Sequence, residues 1–495
     1  MKMHIKIKEM DNIRVAVKDI KSGTIVDDNG RSFELLEDIR SGHKFATNNI
    51  SKGEDVIKYG FPIGHAVEDI KLGQWVHTHN VKTNLKDNLE YEYAPNFKEI
   101  KDKDGPKTFW GYKRKNGEVG IRNELWIVPT VGCINNIGET IINRFISKYN
   151  PQGLDNIEAF KHKYGCSQLG DDHIDTRSVL ADIVKHPNAG GVLVLGLGCE
   201  NNTMDEFKLA IGDYDENRIK FLVGQEVDNE IEEGVKLLKE IYNEIKDDER
   251  EELPISELRI GLKCGGSDGF SGITANPLLG EFSDYIVKNG GTTILTEVPE
   301  MFGAELPLME RAESEEVFND IVKLINDFKD YYRFHNQPIY ENPSPGNKEG
   351  GITTLEEKSL GTTQKSGFSK ISNVLDYGER LSMKGLNLLY SPGNDLVSST
   401  AMGASGCQMV LFTTGRGTPY GTFVPTVKVS TNTDIYERKG HWIDFNAGTL
   451  TEDKSMDELV EEFIEYIIKV ANGEYTNNEE NGLREIAIFK TGVTL

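Results

Sequence analysis

The chain has 495 residues, 37 % of them apolar, and a formal net charge of −24. That length exceeds a single hydrophobic core and predicts two to four domains, while the acidic balance excludes a nucleic-acid binder, which needs a basic face. The opening MKMHIKIKEMD lacks an apolar core, and the longest apolar run, GGVLVLGLG around Leu195, is too short to cross a bilayer, so a cytoplasmic protein without a membrane partner is expected.

Residues 1–92 read as all-β, with short runs such as Ile13–Val17 alternating with turns such as Asp28-Asn29-Gly30. Histidines gather toward the end: His43, His65, then His77-Thr78-His79-Asn80. On an extended strand His77 and His79 point to one face, where they can bind a metal or a polyol acid; scattered surface histidines are the plain alternative. Residues 93–107 are polar, carry two prolines and read as a linker. A module on such a tether can close over a cleft of the main body and exclude water.

Residues 108–250 read as an α/β domain. The strand LWIVPT, a strand before Gly165, and the strand Val192–Leu197 each run through glycine into a cysteine: Cys133, Cys166 and Cys199. In parallel sheets such ends share one edge, so three thiols can converge on iron or a cluster. Buried cysteine is also simply a small hydrophobe. No CxxC occurs among the five cysteines, which leaves free thiols or metal ligands rather than a disulfide framework. The Gly196-x-Gly198 pair is not GxGxxG, so a dinucleotide fingerprint is missing. An amphipathic helix follows over 231–247.

Residues 251–495 read as a third domain. Ile260, Leu262 and Cys264 alternate as a buried strand, Gly265-Gly266-Ser267-Asp268-Gly269 forms a loop, and Asn276-Pro277 starts a helix. This strand–loop–helix predicts backbone N–H groups offered to an anion, with Asp268 able to hold a metal or move a proton. The strand Thr292–Leu295 leads into Glu297 and Glu300. Residues 338–370, with GITTLEEKSLG inside, read as a long structureless segment of the kind that is usually functional. Strands at Leu386–Tyr390 and Gln408–Phe412 enter glycine turns, and Lys454–Val470 reads as a surface helix.

Longer stretches carry a resemblance. SGHKFATNNISKGEDVIKYGFPIGHAVEDIKLGQWVHTHN resembles the N-terminal β-clip, or SAF, module of the altronate and galactarate dehydratase family. GYKRKNGEVGIRNELWIVPTVGCINN, HKYGC and HPNAGGVLVLGLGCENN resemble its second domain. LKCGGSDGFSGITANPLLG, TEVPEMFGAE, ITTLEEKSLG and LFTTGRGTPYGTFVPTVKVSTNTDIYERKGHWIDFNAG resemble its C-terminal domain. The motifs follow in the family's order over essentially the whole chain. The resemblance implies a hydro-lyase acting on a six-carbon sugar acid, activation by a divalent ion such as ferrous iron, a doubly wound C-terminal sheet of unusual connectivity, and a homodimer. Two positions depart from it: Ser167-Gln168 follows Cys166 where a further glycine is expected, and Ser366 stands where a second glycine is usual.

Dehydration of a sugar acid removes the proton α to a carboxylate and expels the β-hydroxyl. The site must stabilise an aci-carboxylate and supply a base and an acid. By chemical type, His162, Lys358, His77 and His79 are the acid–base candidates. Arg416, Lys428, Arg122, Asn80 and Ser267 are the substrate-binding candidates. Cys133, Cys166, Cys199, Asp268, Glu297 and Glu300 are the metal-capable set. Such mixed ligands favour Fe²⁺, with Mn²⁺ or a [4Fe–4S] cluster as alternatives, over Mg²⁺. Arg122 and Lys428 as structural ion pairs, Glu300 as a helix-start carboxylate and His162 as a core histidine are the plain readings. The competing functions are a sulfolactate-type sulfo-lyase, a nicotinamide-dependent sugar-acid dehydrogenase and a non-catalytic carbohydrate-binding protein.

Overall fold

A computed structural model describes residues 2–85, 91–100, 103 and 105–495. The N-terminal module is built of short strands. His4–Ile5, Ile13–Ala16, Lys44–Ala46 and Trp75–Val76 form one antiparallel sheet, and Asp55–Lys58, Phe61–Ala66 and Val81–Lys82 a second. Ile25–Asp28 and Arg31–Glu34 make a hairpin whose two turn residues, Asn29 and Gly30, both have positive φ, as a two-residue turn of matching twist requires. The predicted His77–Asn80 strand is a tight turn instead, because the Asn80 side chain accepts from the His77 amide and donates to the Trp75 carbonyl.

The second domain has a four-stranded parallel sheet in the order Ile157–Ala159, Glu124–Pro129, Ala189–Gly196, Ile219–Val223. Helices Asn135–Tyr149 and Glu230–Ile245 pack on one face through Ile141, Phe145, Leu238 and Ile241. The strand Glu251–Pro254 returns to pair with Thr108–Lys113. That pairing joins the ends of the domain.

The third domain holds a seven-stranded parallel sheet. Its order is Ile371–Leu375, Gly385–Leu389, Thr292–Leu295, Arg259–Cys264, Met409–Thr414, Thr426–Ser430, Phe445–Asn446. Helices Ala275–Lys288, Glu315–Phe334 and Met456–Ala471 contribute to the core on one face. On the other, Ala401 and Met402 of helix Asp395–Ala404 share a core with Trp126, Phe160 and Val179 of the second domain. The sheet is thus covered on both faces, which is why its strands read as near-continuous apolar runs. The helix read as a surface element at 454–470 buries Leu459, Phe463 and Ile467.

The chain leaves the first strand, Arg259–Cys264, toward one side and later returns to its other side at Met409–Thr414. That reversal is a topological switch point, where open α/β sheets bind ligands beyond their strand ends. The segment 338–370 is ordered, not structureless: it contains helices Pro345–Glu349 and Leu355–Thr362 and a 3-10 turn at Thr363–Ser366. Part of the linker reading, at 101, 102 and 104, lies outside the described residues. The part before it is no free tether, since the Asn96 amide donates to Glu310 O and the Tyr93 hydroxyl to Ala312 O on the third domain. No helix among the described residues is long and apolar enough to cross a membrane.

Candidate active site

The GGSDG loop at the switch point does something other than cradle an anion. Its amides are largely committed: Gly265 to Thr413 O, Gly269 to Gly350 O, Phe270 to Asp268 Oδ1 and Ser271 to Asp268 O. The glycines serve close approach. A Cβ on Gly269 would lie 2.0 Å from Gly42 O, and one on Gly272 2.3 Å from the Tyr59 hydroxyl. Gly351, at φ +102°, would place a Cβ 2.3 Å from Gly42 O. Glycine is therefore what lets the N-terminal module press its backbone onto the third domain.

Charge completes the docking. Lys44 donates to Gly351 O (2.7 Å), Thr353 Oγ1 (2.7 Å) and Glu357 Oε2 (2.9 Å), and Lys58 donates to Glu357 Oε1 (2.7 Å). All three charged groups are buried. Burial works against the Glu357 charge, but the two ammonium groups outweigh it and hold its carboxyl down at about 2. Burial lowers Lys44 to about 8 against the pull of Glu357.

The docked module brings an aromatic cluster to the segment 342–353. Trp75 stacks on His77 at 5.2 Å and meets His79 at 4.9 Å, and His43 lies 5.1 Å from His77. The Trp75 indole N–H donates to His43 Nδ1, which leaves His43 Nε2 to donate to Glu349 O at 3.1 Å. His77 Nδ1 stands 3.4 Å from Thr353 Oγ1. Burial, then the Lys44 ammonium, push His77 down to about 3, so it is neutral. From the other side, Arg416 donates to Gly346 O (3.3 Å) and Glu349 Oε2 (3.0 Å), and Asn347 donates to the Ser267 carbonyl (2.8 Å). Lys358 donates to Asn342 Oδ1 (2.9 Å) and Asn347 Oδ1 (3.3 Å). The sequence candidates His77, Ser267, Arg416 and Lys358 therefore gather around one segment, while His79 lies against Trp75 beside it.

Behind Lys358 lies a buried charge cluster. Lys358 pairs with Glu300 at 2.7 Å, Lys365 lies 2.9 Å from Cys264 Sγ and 3.6 Å from Glu297, and Lys263 binds both Glu297 and Asp395. Cys264 Sγ lies 3.2 Å from Glu300 Oε2 and 3.8 Å from Glu297 Oε2. Glu297 sits at φ +70°, a conformation unfavourable for a residue with a side chain, as is common where a site dictates geometry. Burial raises both carboxyls, but Lys358, Lys365 and Lys263 bring Glu300 down to about 2, whereas the like charge of Glu300 helps keep Glu297 above its ordinary value. Two carboxyls pushed apart in this way are the mark of acid–base machinery. Burial opposes the Lys358 charge too, yet Glu300 prevails and raises it.

Cys264, Glu297 and Glu300 offer ligand atoms within 4.8 Å of one another, a sulfur–oxygen set chemically suited to ferrous iron. Each of these atoms is already matched to an ammonium group, and a dication placed there would meet three buried lysines. The set does not fit a metal as it stands, because removing its charge partners would leave them uncompensated in the interior.

Several expected site residues have other work. Arg122 is buried, makes a bidentate pair with Glu479 and donates to Val470 O and Glu474 O, so it ties the second domain to the C-terminal region. Lys428 is buried and donates to the carbonyls of Thr418 and Tyr420 beneath Phe412. His162 is a core histidine: Nε2 meets Pro129 O at 2.7 Å, Nδ1 accepts from the Tyr164 amide, and burial lowers it to about 4. Asn80 only shapes the turn beneath His77. Asp268 accepts from Thr431, Asn432, Ser271 and the Phe270 amide, a full set that fastens the loops at the switch point and leaves a metal no place. Cys133, Cys166 and Cys199 follow strands of the second-domain sheet and form no close ligand group with Asp268, Glu297 or Glu300 among the described residues. The expected set of six metal ligands is thus divided among three places.

The sequence reading overlooked Lys263, Lys365, Lys44, Lys58 and Glu357. The signal was present in Lys263, Lys44 and Lys58, each a buried cation in a short strand with apolar neighbours, RIGLKC, KFA and DVIK. Ser366, one of the two departures, accepts from Arg311 Nη2 and donates to Thr363 O, and so pins the turn that carries Lys365.

Fold and site define a three-module α/β protein with a charged crevice at the carboxyl edge of a doubly wound parallel sheet. Three family models match it in order. They are the altronate/galactarate dehydratase SAF domain over residues 2–84, the D-galactarate dehydratase/altronate hydrolase second domain over 111–246, and the D-galactarate/altronate dehydratase C-terminal domain over 255–494. Altronate dehydratase of Bacillus subtilis (strain 168) is 59 % identical over 497 residues, covering 100 % of each chain. Altronate dehydratase of Escherichia coli (strain K12) is 56 % identical, covering 99 % of this chain and 100 % of the relative. The L-threo-forming galactarate dehydratase of the same organism is 32 % identical, over 98 % and 96 % of the two chains. The chain belongs to the altronate/galactarate dehydratase family.

Proposed function

We propose that this protein is a hydro-lyase that converts altronate to a 2-keto-3-deoxy sugar acid. The full-length identity to two altronate dehydratases favours altronate over galactarate. The observation that carries the site is the helix Leu355–Thr362. It turns Glu357 to the N-terminal module and Lys358 to the carboxylates of the third domain, so the two bodies share one crevice.

Within the cluster Lys263 is 0 % and Lys365 1 % exposed, while Lys358 is 8 % exposed. Lys358 is the ammonium group that a substrate reaches, and it can protonate the departing hydroxyl while Glu300 holds it in place. The positive charge of Lys358, backed by Lys263 and Lys365, favours the aci-carboxylate electrostatically in a water-poor setting. Arg416 is 43 % exposed in its side chain and can exchange Glu349 for a substrate carboxylate. His77, neutral and set by Thr353, is a hydrogen-bonding group for substrate hydroxyls rather than the base. His79, at the rim against Trp75, is the histidine left to take the α-proton. Half-buried Trp75 and buried His43 and His77 pack on one side of it.

The test is turnover of altronate, galactarate and sulfolactate by the whole chain, followed as 2-keto acid and as sulfite. Formation of 2-keto-3-deoxy acid from altronate with little from galactarate is expected. Sulfite release from sulfolactate, or turnover only with a nicotinamide cofactor, would refute the proposal.

A further inference from the structure

The N-terminal module and the third domain enclose a second cavity, of about 420 Å³, which shares no residue with the crevice around Lys358, Arg416 and His77. Residues 5–8, Tyr59 and Phe61 wall it from the module, and Ile273, Pro277, Leu308 and Phe368 wall it from the third domain. These walls are mainly apolar, and Phe61 and Phe368 are large aromatics that remain exposed. Its size and apolar lining, with a few polar groups among them, are those of a small-molecule site. A sugar acid is hydroxylated along its length and has no match in such a surface, so this is not a second place for the substrate.

Charge at this cavity is one-sided. Lys6, Lys8, Lys98 and Arg311 line it against the single carboxylate of Glu310, a local reversal of sign in a chain of net charge −24. Lys6 stands 3.7 Å from Asp28, and Lys98 lies over the Phe368 ring, 4.4 Å from its centroid. Arg311 is the unusual member. It is 7 % exposed, yet among the described residues no carboxylate pairs with it. Its Nε donates to Pro307 O at 3.2 Å, Nη1 to Gly367 O at 2.5 Å, Ser366 O at 3.2 Å and Ser369 O at 3.5 Å, and Nη2 to Ser366 Oγ at 2.8 Å. A guanidinium carries five N–H groups, so one Nη2 N–H is left without an acceptor among the described residues. Burial, only partly answered by Asp284, lowers Arg311 to about 10. A buried cation without a counter-ion is costly, and an anion entering from outside supplies one.

We propose that this cavity binds a small apolar monocarboxylate, aryl or alkyl, at the joint between the N-terminal module and the third domain. Its carboxylate takes the free Arg311 N–H and the ammonium groups of Lys8 and Lys98, while its apolar body lies on Ile273, Pro277, Leu308 and Phe368. Both bodies supply walls, so an occupant cross-links them. It also meets Thr363 and Gly367, on either side of the turn that carries Lys365. The site does not depend on which sugar acid the crevice takes, and its occupancy is read without turnover.

The whole chain is titrated by calorimetry with 3-phenylpropionate and octanoate, and with 3-phenylpropanol and octanol as their uncharged counterparts. Each acid should bind once per chain and about tenfold or more tightly than its alcohol, since a charge-assisted hydrogen bond is lost in the alcohol. Hydrogen exchange at neutral pH should slow in residues 5–8 and 360–367 when an acid is bound. The double variant Lys8→Gln, Lys98→Gln, made at two exposed side chains, should weaken the acids about tenfold and the alcohols little. Arg311→Gln, checked in fold by circular dichroism, should weaken the acids further. No binding of either acid, alcohols that bind as well as the acids, displacement of the acids by altronate, or an unchanged affinity in the double variant would each overturn the proposal. Protection of the same residues that grows with protein concentration in the absence of ligand would assign the cavity to a second copy of the chain, and would overturn it as well.

Discussion

At the residue scale, the site depends on how charges are compensated rather than on which ionisable types are present. Lys358 and Lys428 are both lysines of the third domain, buried and hydrogen-bonded. Lys358 faces Glu300 and is held charged, whereas Lys428 meets backbone carbonyls and is lowered to about 7, by burial above all. Only the first is placed to give a proton to a leaving hydroxyl and to remain available at neutral pH. Replacing Lys358 with Met should therefore lower kcat by about 10²–10⁴-fold with a smaller change in KM. Steady-state kinetics on altronate, with circular dichroism to confirm the fold, would check this. An unchanged kcat would remove Lys358 from the chemistry.

At the element scale, the short helix Leu355–Thr362 is the joint. Its N-cap Thr354 accepts from the Glu357 amide and donates to Ile63 O of the N-terminal module. Successive side chains on a helix point about 100° apart, so Glu356, Glu357 and Lys358 reach Thr83, the lysine pair and Glu300 in turn. A run of charges that would normally be a solvated face is here buried all round, because the helix is inserted between two bodies. Glu357→Gln would leave Lys44 and Lys58 buried without a counter-charge, and the loss should be about 3–5 kcal/mol, seen as a lower first transition in calorimetry.

Acid should act on the same joint. His77 is lowered to about 3 and Glu357 to about 2, from ordinary values of 6.5 and 4.5. In both windows the unfolded chain binds the proton that the docked state refuses, so stability falls as pH falls. His77 contributes its share between pH 6.5 and 3, and Glu357 between 4.5 and 2. Undocking of the module, followed by limited proteolysis, is therefore expected to set in below about pH 6 and steepen below about 4.5. Equal resistance to proteolysis at pH 7 and pH 4 would contradict it.

At the scale of the whole molecule, three backbones meet at Gly42, Gly269 and Gly351, where the N-terminal module rests on the third domain. Gly269→Val adds a side chain where 2.0 Å separates an added Cβ from Gly42 O, yet it alters no polar group of the site. It should displace the N-terminal module and reduce turnover to near background while the parallel sheets stay folded. Turnover kinetics and hydrogen exchange of the Arg259–Cys264 and Met409–Thr414 strands would show both. Full activity would mean that the third domain works without its β-module.

By itself the sequence determined most of the parallel strands, though not Ile219–Val223, Ile371–Leu375, Thr426–Ser430 or Phe445–Asn446, and the thiols and carboxylates that follow strand ends, because apolar runs, glycine punctuation and strand-end chemistry are local. It likewise carried the family motifs, from SGHKF to LFTTGRG, in unbroken order. Only the tertiary structure decided partners. Asp268, Arg122, His162 and Lys428 look like site residues in sequence and are structural because each meets a distant group: Thr431, Glu479, Pro129 and Tyr420. Lys263, Lys365, Lys44 and Lys58 look incidental and yet supply buried charge, since an inward-facing lysine is tolerable only where a carboxylate or thiol remote in sequence meets it. The strand register and the glycine contacts that bring those groups together are long-range, and no local pattern encodes them.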